Sequence, residues 1–305
     1  MAEDISMQPI TFTIGEVVAT IAKTYPDLSH SGLRFLEREG LVTPLRTEGG
    51  HRLYRQSDMD RIMNIKSWRE DGISIDEIRR RLADLDSLPS VDRLIDVFLD
   101  LAITGNLRDA GNQILIADDA GVAPLVLFND VLTPALIEVG RRWELGILPV
   151  AQEKEISEVV RDLISEIAGR HIPEQSHGPA IVAGCVESER HELGLRMICA
   201  LLRIHGYRVY FLGADVSAEF LLQAIALHRP EVLLLSAVLP TAFESLERTI
   251  KQVYAVTNGI HQLEIVAGGS LVTDEHEKIS SWGAIPMRER HLAASVEAIQ
   301  RLAPH

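Results

Sequence analysis

The chain has 305 residues, of which 46% are hydrophobic and 24% charged, and its formal net charge is −14 at pH 7. This length suits two or three globular domains. No apolar run approaches the roughly 20 residues of a membrane-spanning helix, and the opening MAEDISMQPI lacks the basic and apolar regions of a secretory signal. We therefore expect a cytoplasmic protein that does not insert into a membrane.

The acidic excess is unevenly distributed. Residues 1–81 contain 12 Lys and Arg against 13 Asp and Glu, which leaves 18 against 31 for the remainder. If the first part binds a polyanion, it must use local basic clusters, because the rest of the chain would be repelled. Cys185 and Cys199 lie in apolar contexts without metal-ligand spacing, so we expect reduced core residues.

Residues 12–83 predict short helices and a hairpin. TIGEVVATIA and SHSGLRFLEREGL predict two helices, TPLRTEGGHRLY predicts a hairpin, and QSDMDRIMNIKSWREDG and SIDEIRRRLADL predict two further helices. Ser57 and Ser74 are the predicted N-caps of those last two helices. DSLPSVD then predicts a linker, because it combines a proline with small polar residues.

A helix pair followed by RTEGGHRLY is typical of a winged helix-turn-helix, with SHSGLRFLEREGL as the recognition helix. Glu48, Gly49 and Gly50 are expected to turn the wing. The expected DNA contacts are His30, Ser31 and Arg34 on the helix, for base edges or phosphates, and Arg46, Arg52, Tyr54 and Arg55 on the wing, for phosphates. A solvated helical face with surface arginines is the alternative interpretation of the same spacing.

The order and register of TIGEV, LRFLEREGLVTPLRTEGGHRLYRQSDMDRI and GISIDEIRRRL resemble the MerR family of transcription regulators across residues 12–82. The resemblance implies a dimer, made through the helix after SIDEIRRRL, on double-stranded promoter DNA with a pseudopalindromic site. ATIAKTYPDLSHSG is longer than the family's turn between the first two helices, which leaves His30 and Ser31 open as base readers.

From Val91 to about Ile167 the apolar residues recur at helical spacing and predict a four-helix bundle. AIVAGC, RVYFLG, EVLLLSAV and EIVAGG then alternate with helical stretches, which is typical of a parallel sheet with helices on both faces. This pattern predicts a doubly wound, flavodoxin-like α/β fold. The predicted domains are a winged helix-turn-helix at 1–83, a linker at 84–90, a four-helix cap at 91–172 and a Rossmann-like domain at 173–305.

His191 follows the first predicted strand, in CVESERHELGLRMI. Ligands of a doubly wound sheet bind beyond the carboxyl ends of the strands where the strand order reverses, here between the first and third strands. That rule predicts one crevice for His191 and Ser236, with Gly268 and Gly269 after the fourth strand nearby. The alternative interpretation of His191 is a surface histidine at a helix N-terminus. The alternative interpretation of Gly268 and Gly269 is a plain strand-to-helix turn.

A neutral imidazole binds metals, and a carboxylate can hold its other ring nitrogen. Glu189, or less favourably Glu187, is placed to hold that second nitrogen of His191. Gly194 begins the next helix without a side chain, which leaves room for a bulky ligand.

ESERHELG, with SAV at 236–238 and GG at 268–269, is similar to the cobalamin-binding pattern Asp-x-His-x-x-Gly, Ser-x-Leu and Gly-Gly. The resemblance implies that His191 is the lower axial ligand to cobalt and that Ser236 and the paired glycines hold the nucleotide tail. Glu189 replaces the family's Asp, and Val238 replaces its Leu. The four-helix segment resembles the cap over the upper corrin face, so the resemblance covers roughly residues 91–302.

The three modules together resemble the light-sensing repressors of the CarH type, which bind adenosylcobalamin in the dark and come apart in light. The resemblance implies that Trp143 packs against the adenosyl group and that Glu153 accepts hydrogen bonds from its ribose. A core aromatic is the alternative interpretation of Trp143. Glu144 and Lys154 stand where the family has histidines, and a carboxylate is a weaker partner for cobalt(III) than imidazole, so no stable bis-histidine photoproduct is expected.

The leading prediction is a transcription repressor, not an enzyme, in which adenosylcobalamin and light set the state of a dimer or tetramer and its promoter binding. Two alternatives stay open. One is a regulator of this fold that works without cobalamin, or with another chromophore or a protein partner. The other is a corrinoid methyl carrier, although the sequence contains no nucleophile with an adjacent base and no Walker phosphate loop.

Overall fold

The computed structural model describes residues 11–47, 49–87, 90–257, 263–289 and 291–304. The predicted wing residue Glu48 and residues 88–89 of the predicted linker lie outside these ranges. The chain divides into two compact units, residues 1–88 and 89–305, each with a hydrophobic core. Within the described ranges, no helix is long and apolar enough to cross a bilayer.

The first unit is a small helical fold with a three-stranded antiparallel sheet of order β1-β3-β2. Its elements are β1 (Thr11–Thr13), α1 (Ile14–Ile21), α2 (His30–Arg38), β2 (Leu45–Arg46), β3 (Arg52–Arg55), α3 (Gln56–Glu70) and α4 (Ile75–Ser87). The buried residues Val17, Leu33 and Ile62 bring α1, α2 and α3 onto one core. This architecture confirms the predicted winged helix-turn-helix.

The two predicted N-caps have different outcomes. Ser74 caps α4, because its hydroxyl accepts a 3.3 Å hydrogen bond from the Glu77 backbone N–H. Ser57 does not cap α3: the cap residue is Arg55, whose backbone N–H donates to the Asp58 carboxylate at 2.8 Å. A carboxylate in the first turn satisfies the N-terminal amide as a hydroxyl would, so the helix begins at Gln56.

The second unit begins with four helical stretches, as the periodicity predicts. They are α5 (Val91–Ile103), α6 (Leu107–Asp119), a continuous stretch made of α7 (Pro124–Val126), a π-helical segment (Leu127–Leu132) and α8 (Thr133–Glu144), and finally α9 (Val150–His171). Phe98, Ile114, Phe128 and Ile156, one from each stretch, are at most 1% exposed. These four stretches are called the cap below.

The α/β part of the second unit contains a five-stranded parallel sheet of order β5-β4-β6-β7-β8. Its strands are β4 (Ala180–Cys185), β5 (Arg208–Phe211), β6 (Val232–Ser236), β7 (Glu264–Gly268) and β8 (Ile285–Pro286). Its helices are α10 (Leu193–Ile204), α11 (Ala218–His228), α12 (Phe243–Thr257), α13 (Ser270–Asp274), α14 (His276–Ser281) and α15 (Leu292–Leu302).

The strand order reverses between β4 and β6, which confirms the flavodoxin-like order. All residues of β4 and β6 are buried, because helices cover both faces of the sheet. The sequence did not predict β8, which has only two residues and therefore carries no periodicity. The reversal places a crevice at the carboxyl ends of β4 and β6.

Gly269, directly after β7, has a backbone φ of 112°. A Cβ atom at this position would lie 2.1 Å from the backbone oxygen of Ala237. The residue must therefore be glycine for both reasons, since the left-handed φ disfavours side chains and the neighbouring carbonyl leaves no space.

Gly269→Ala should lower the free energy of unfolding of the second unit by about 2–4 kcal/mol, because it adds backbone strain and a backbone clash. Urea denaturation followed by circular dichroism measures the change. Gly194→Ala is the control: a Cβ at this position of α10 meets nothing within 4 Å, so stability should stay unchanged or rise by up to about 1 kcal/mol. Equal stability of the two variants would contradict this prediction, because it would show that the backbone at Ala237 and Gly269 shifts to accommodate the Cβ without cost.

Candidate functional site

A cavity of about 800 Å³ lies between the cap and the carboxyl edge of the sheet. Ten of the eleven residues that the sequence predicts for a cofactor line it, and the eleventh, Glu189, lies directly behind His191. The ten are Trp143, Glu144, Glu153 and Lys154 from the cap, and His191, Gly194, Ser236, Val238, Gly268 and Gly269 from the α/β part.

The sheet register brings the lower wall of this cavity together. Cys185 pairs with Ser236, and Ser236 pairs in turn with Gly268, so the last residues of β4, β6 and β7 lie side by side. The loop after Cys185 carries His191 to this edge before α10 begins at Leu193. The histidine therefore lies at the mouth of the sheet because the strand order reverses there.

His191 is held by a buried carboxylate. The His191 Nδ1 and backbone N lie 2.7 Å from the Glu189 Oε1, and the Glu189 side chain is fully buried, whereas the His191 side chain is 57% exposed. The other carboxylate oxygen accepts hydrogen bonds from the backbone N–H groups of Val238 at 2.7 Å and Leu239 at 2.9 Å. Among the described residues, the His191 Nε2 has no hydrogen-bond partner, so this nitrogen is available to a ligand.

The electrostatics of this pair keep the carboxylate ionised. Burial raises the pKa of Glu189, but the hydrogen bonds from His191, Leu239 and Val238 together outweigh burial and lower that pKa to about 2. The same contact raises the pKa of His191, and burial opposes this shift only in part. Because the acceptor beside Nδ1 is an anion, the single proton of the neutral ring lies on Nδ1. The lone pair of Nε2 is then free to bind a metal, and Nε2 is more basic than in an isolated imidazole.

The other predicted partner, Glu187, does not contact His191. It pairs with Arg248, and about half of each side chain is exposed. The choice between the two carboxylates thus falls on Glu189, because its side chain points inward from the loop while that of Glu187 points to solvent.

The upper wall is formed by the ends of α8 and α9. Trp143 is 46% exposed although it is a large apolar residue, which excludes the interpretation as a core aromatic. Glu153 accepts a hydrogen bond from the Ser157 hydroxyl at 2.9 Å, and its other oxygen lies 3.1 Å from the Lys154 Nζ. Glu144 is exposed at the end of α8.

The predicted DNA-contacting residues lie on α2 and the β2–β3 hairpin. Ser29 caps α2 through the Gly32 backbone N–H at 3.2 Å, and His30, Ser31 and Arg34 in the first turns are exposed. The helix buries its opposite face through Leu33. These three side chains therefore lie on the outward face of the helix.

Two of the wing arginines are tied to α2. The Glu37 carboxylate accepts hydrogen bonds from the Arg46 Nη2 at 2.5 Å and from the Arg52 Nε at 2.6 Å. The Arg46 side chain is 50% exposed and that of Arg55 is 45% exposed. Arg46 and Arg55 are therefore accessible from solvent, whereas the Arg52 side chain, 28% exposed, is more enclosed.

Tyr54 does not have the position predicted for it. Its residue is 1% exposed, and its hydroxyl is buried without a hydrogen-bond partner among the described residues. Burial raises the pKa of this hydroxyl. Strand alternation explains the error: Arg55 points to the exposed side of β3, so Tyr54 points to the opposite side, where its ring enters the core of the first unit. Tyr54 is therefore a core residue rather than a phosphate contact.

Comparison with known proteins agrees with this arrangement of parts. Residues 12–85 match the MerR HTH family regulatory proteins, and residues 94–167 and 179–287 each match a B12 binding domain family. The chain is 32% identical over 229 residues to the HTH-type transcriptional repressor CarH of Myxococcus xanthus, covering 70% of this chain and 75% of the relative. The chain belongs to the CarH family of transcriptional repressors.

A second CarH-family relative covers still more of the chain. It is the HTH-type transcriptional repressor CarA of Myxococcus xanthus, 28% identical over 275 residues, which span 88% of this chain and 91% of the relative. This CarH-family chain is a cobalamin-binding transcription regulator with a MerR-type DNA-binding fold. The resemblances to the MerR family, to cobalamin-binding domains and to the CarH-type repressors are thereby confirmed.

The fold of the second unit is also found in a solved corrinoid protein. The monomethylamine corrinoid protein of Methanosarcina barkeri superposes with a TM-score of 0.60 at 18% identity, covering 69% of this chain and 99% of that structure. At that identity, the likeness establishes the fold of the CarH-family chain and nothing about its chemistry.

The sequence did not reveal several residues of the cavity. Arg161 of α9 donates from Nε to the buried Glu192 at 2.9 Å, and both side chains line the cavity beside His191. Glu192 could have been found from its position next to His191, but nothing in the sequence connects it with Arg161, 31 residues away. Leu292 and Ile299 of α15 were missed because the strand before that helix is so short.

Tyr54→Phe should leave the unfolding free energy of this CarH-family regulator unchanged or raise it by up to about 1–3 kcal/mol, since it removes a buried hydroxyl that has no hydrogen-bond partner among the described residues. Its affinity for double-stranded DNA of mixed sequence should equal that of the wild type at every salt concentration. Arg34→Ala, in contrast, should reduce the slope of log K against log salt by about 1. Fluorescence anisotropy titrations measure both; weaker DNA binding by Tyr54→Phe would restore the hydroxyl as a phosphate contact.

Proposed function

We propose that this chain is a light-responsive repressor in which adenosylcobalamin, bound in the cavity beneath the cap, sets the oligomeric state and promoter binding. The observation that carries the proposal is the His191 ring, which lines an 800 Å³ cavity while its Nδ1 is held 2.7 Å from the buried Glu189 carboxylate. An imidazole fixed through one nitrogen presents the other as a metal ligand.

The residues around the cavity fit a cobalamin. The volume is at the upper end of the range for small-molecule sites, about 300–1,000 Å³. A side chain at Gly194 would extend into open space, so glycine leaves the region beside His191 clear for a large ligand. When bound, the cobalamin supplies a cobalt–carbon bond that light can break.

We assign the residues of this chain the following roles. His191 would ligate the cobalt, and Glu189 would orient its ring. The nucleotide tail would be held by Ser236, Gly268 and Gly269, with Val238 beside them. Trp143 would pack against the adenosyl group, and Glu153 would accept hydrogen bonds from the ribose. Glu144 and Lys154 would place a carboxylate and an ammonium group, rather than imidazoles, on the upper wall.

The first unit supplies the DNA contacts in this proposal. His30, Ser31 and Arg34 would meet base edges and phosphates, and Arg46, Arg52 and Arg55 would meet phosphates. The functional divisions are a DNA-binding domain at 1–83, a linker at 84–90, the cap at 91–172 and the cobalamin domain at 173–305. The protein acts as a homo-oligomer, a dimer or tetramer, and the cofactor shifts assembly only by the difference in its affinity for the two states.

A regulator that takes another ligand in the same cavity is the second candidate. The observation in its favour is the ion pair between Lys154 and Glu153, which occupies one of the oxygens assigned to the ribose. A corrinoid methyl carrier is not favoured, because the DNA-binding fold has no part in methyl transfer and both CarH and CarA, which cover most of the chain, are repressors. We therefore assign no enzymatic activity.

Purified wild-type protein mixed with adenosylcobalamin in the dark should keep a cobalamin absorbance spectrum after desalting. His191→Ala should lose at least about 90% of the retained cofactor, because an axial ligand and its oriented donor atom are removed together. His177→Ala is the matched control, since His177 contacts Gln175 in an exposed segment, and it should retain cobalamin fully. Full retention by His191→Ala would exclude the ligand role.

Green illumination of the loaded wild-type protein should change its elution in size-exclusion chromatography and weaken its binding to promoter DNA. The photoproduct spectrum should change when free imidazole is added, because neither Glu144 nor Lys154 supplies an upper nitrogen ligand of that kind. Protein kept dark on the same column is the control. Identical elution and DNA binding in dark and light would contradict the light response, and binding of no cobalamin form would favour the second candidate.

A further inference from the structure

Two residues with unusual backbone conformations face each other beside the loop that carries His191. Ser188 has φ 71° and Asp215 has φ 56°, both in the left-handed region that non-glycine residues rarely adopt. The Ser188 backbone N–H donates to the Asp215 carboxylate at 2.7 Å, and the Asp215 backbone N–H donates to the Glu189 carbonyl oxygen at 2.9 Å. The loop that carries His191 thus donates one backbone hydrogen bond to Asp215 and accepts one from it.

These two bonds extend the pairing of β4 with β5 beyond the ends of both strands. The Cys185 backbone N–H donates to the Gly213 carbonyl at 2.9 Å, the Val216 N–H donates to the Cys185 carbonyl at 2.9 Å, and Val186 pairs with Val216 in a parallel bridge. The 213–216 segment therefore supports the His191 loop from the side opposite to the β6 end. Neither Asp215 nor Ser188 lines the cavity.

We propose that Asp215 is a positioning residue for His191. Its carboxylate stabilises Ser188 in the left-handed conformation, and this conformation turns the next residue, Glu189, inward to the ends of β6 while His191 remains at the cavity. The backbone of Glu189 is held by Asp215 on one side, and its carboxylate is held by Val238 and Leu239 on the other. The inference rests on the proposed role of His191 as the lower ligand.

The strain at Ser188 explains why an external carboxylate is needed. An L-residue pays a conformational penalty in this region and would relax toward an extended backbone if its N–H lost the acceptor. Such relaxation would rotate the peptide that leads into Glu189 and move the His191 ring relative to the cavity. A glycine at 188 would adopt the same conformation without the penalty and should depend less on Asp215.

The test compares Asp215→Ala, Asp215→Asn and the double variant Asp215→Ala with Ser188→Gly in the full chain. Asp215→Ala should bind adenosylcobalamin roughly ten- to hundredfold more weakly than the wild type, as expected for the loss of one hydrogen bond to a charged acceptor. Asp215→Asn keeps an acceptor oxygen and should stay within about twofold. The added Ser188→Gly should restore at least part of the affinity.

A second measurement does not involve the cofactor. Amide hydrogen exchange of the peptide 186–192 in cobalamin-free protein should be faster in Asp215→Ala than in the wild type and slow again in Asp215→Asn. Glu219→Ala is the matched control: it removes an exposed carboxylate four residues along the chain that accepts a hydrogen bond from Gln223 of its own helix, and it should change neither exchange nor affinity.

The proposal is overturned if exchange and affinity of Asp215→Ala equal those of the wild type, or if its loss of affinity is not relieved by Ser188→Gly. Failure of the proposed function has a different signature, namely full cobalamin retention by His191→Ala. In that case the exchange measurement still decides whether Asp215 holds the loop.

Discussion

The buried carboxylate of Glu189 is the contact on which the second unit's site depends. An ionised group without solvent exposure is costly unless every oxygen has donors, and here His191 supplies two and the backbone of Val238 and Leu239 supplies two more. These donors come from the ends of neighbouring strands. The carboxylate can therefore be satisfied only where β4 and β6 lie side by side, which is also where a doubly wound sheet opens a crevice.

The opposite wall of the cavity depends on one long helix. α9 carries Glu153 and Lys154 at its beginning and Arg161 two turns later, where Arg161 meets the buried Glu192 next to His191. Cap and sheet thus share a charged contact within a few residues of the imidazole. This ion pair gives the cap and the sheet a direct contact beside the imidazole.

In the first unit, too, one carboxylate holds side chains from two elements together. Glu37 of α2 holds Arg46 and Arg52 of the hairpin, so the carboxylate joins the two elements that we propose to contact DNA. The hydrogen bond from Arg52 lowers the pKa of Glu37, and the carboxylate stays charged. Two guanidinium groups around one carboxylate leave a net positive cluster in a unit that is acidic overall, with 12 Lys and Arg against 15 Asp and Glu in residues 1–88. Such a local concentration of positive charge is what phosphate binding needs.

The sequence by itself indicated the three kinds of fold, four of the five parallel strands and, through resemblance to known motifs, ten residues of the cavity wall, because hydrophobic periodicity and short motifs are local properties of the chain. The pairing order of the strands, with β8 at the edge, depends on long-range contacts that only the tertiary structure supplied. The sequence also placed Glu189 ahead of Glu187, but only the tertiary structure decided between them, since the choice depends on donors from a strand about fifty residues away. The burial of Tyr54, the partner of Arg161 and the support from Asp215 were likewise invisible. Each of these three features depends on a contact between residues that are far apart in the sequence, and local sequence patterns do not show which distant segments come into contact.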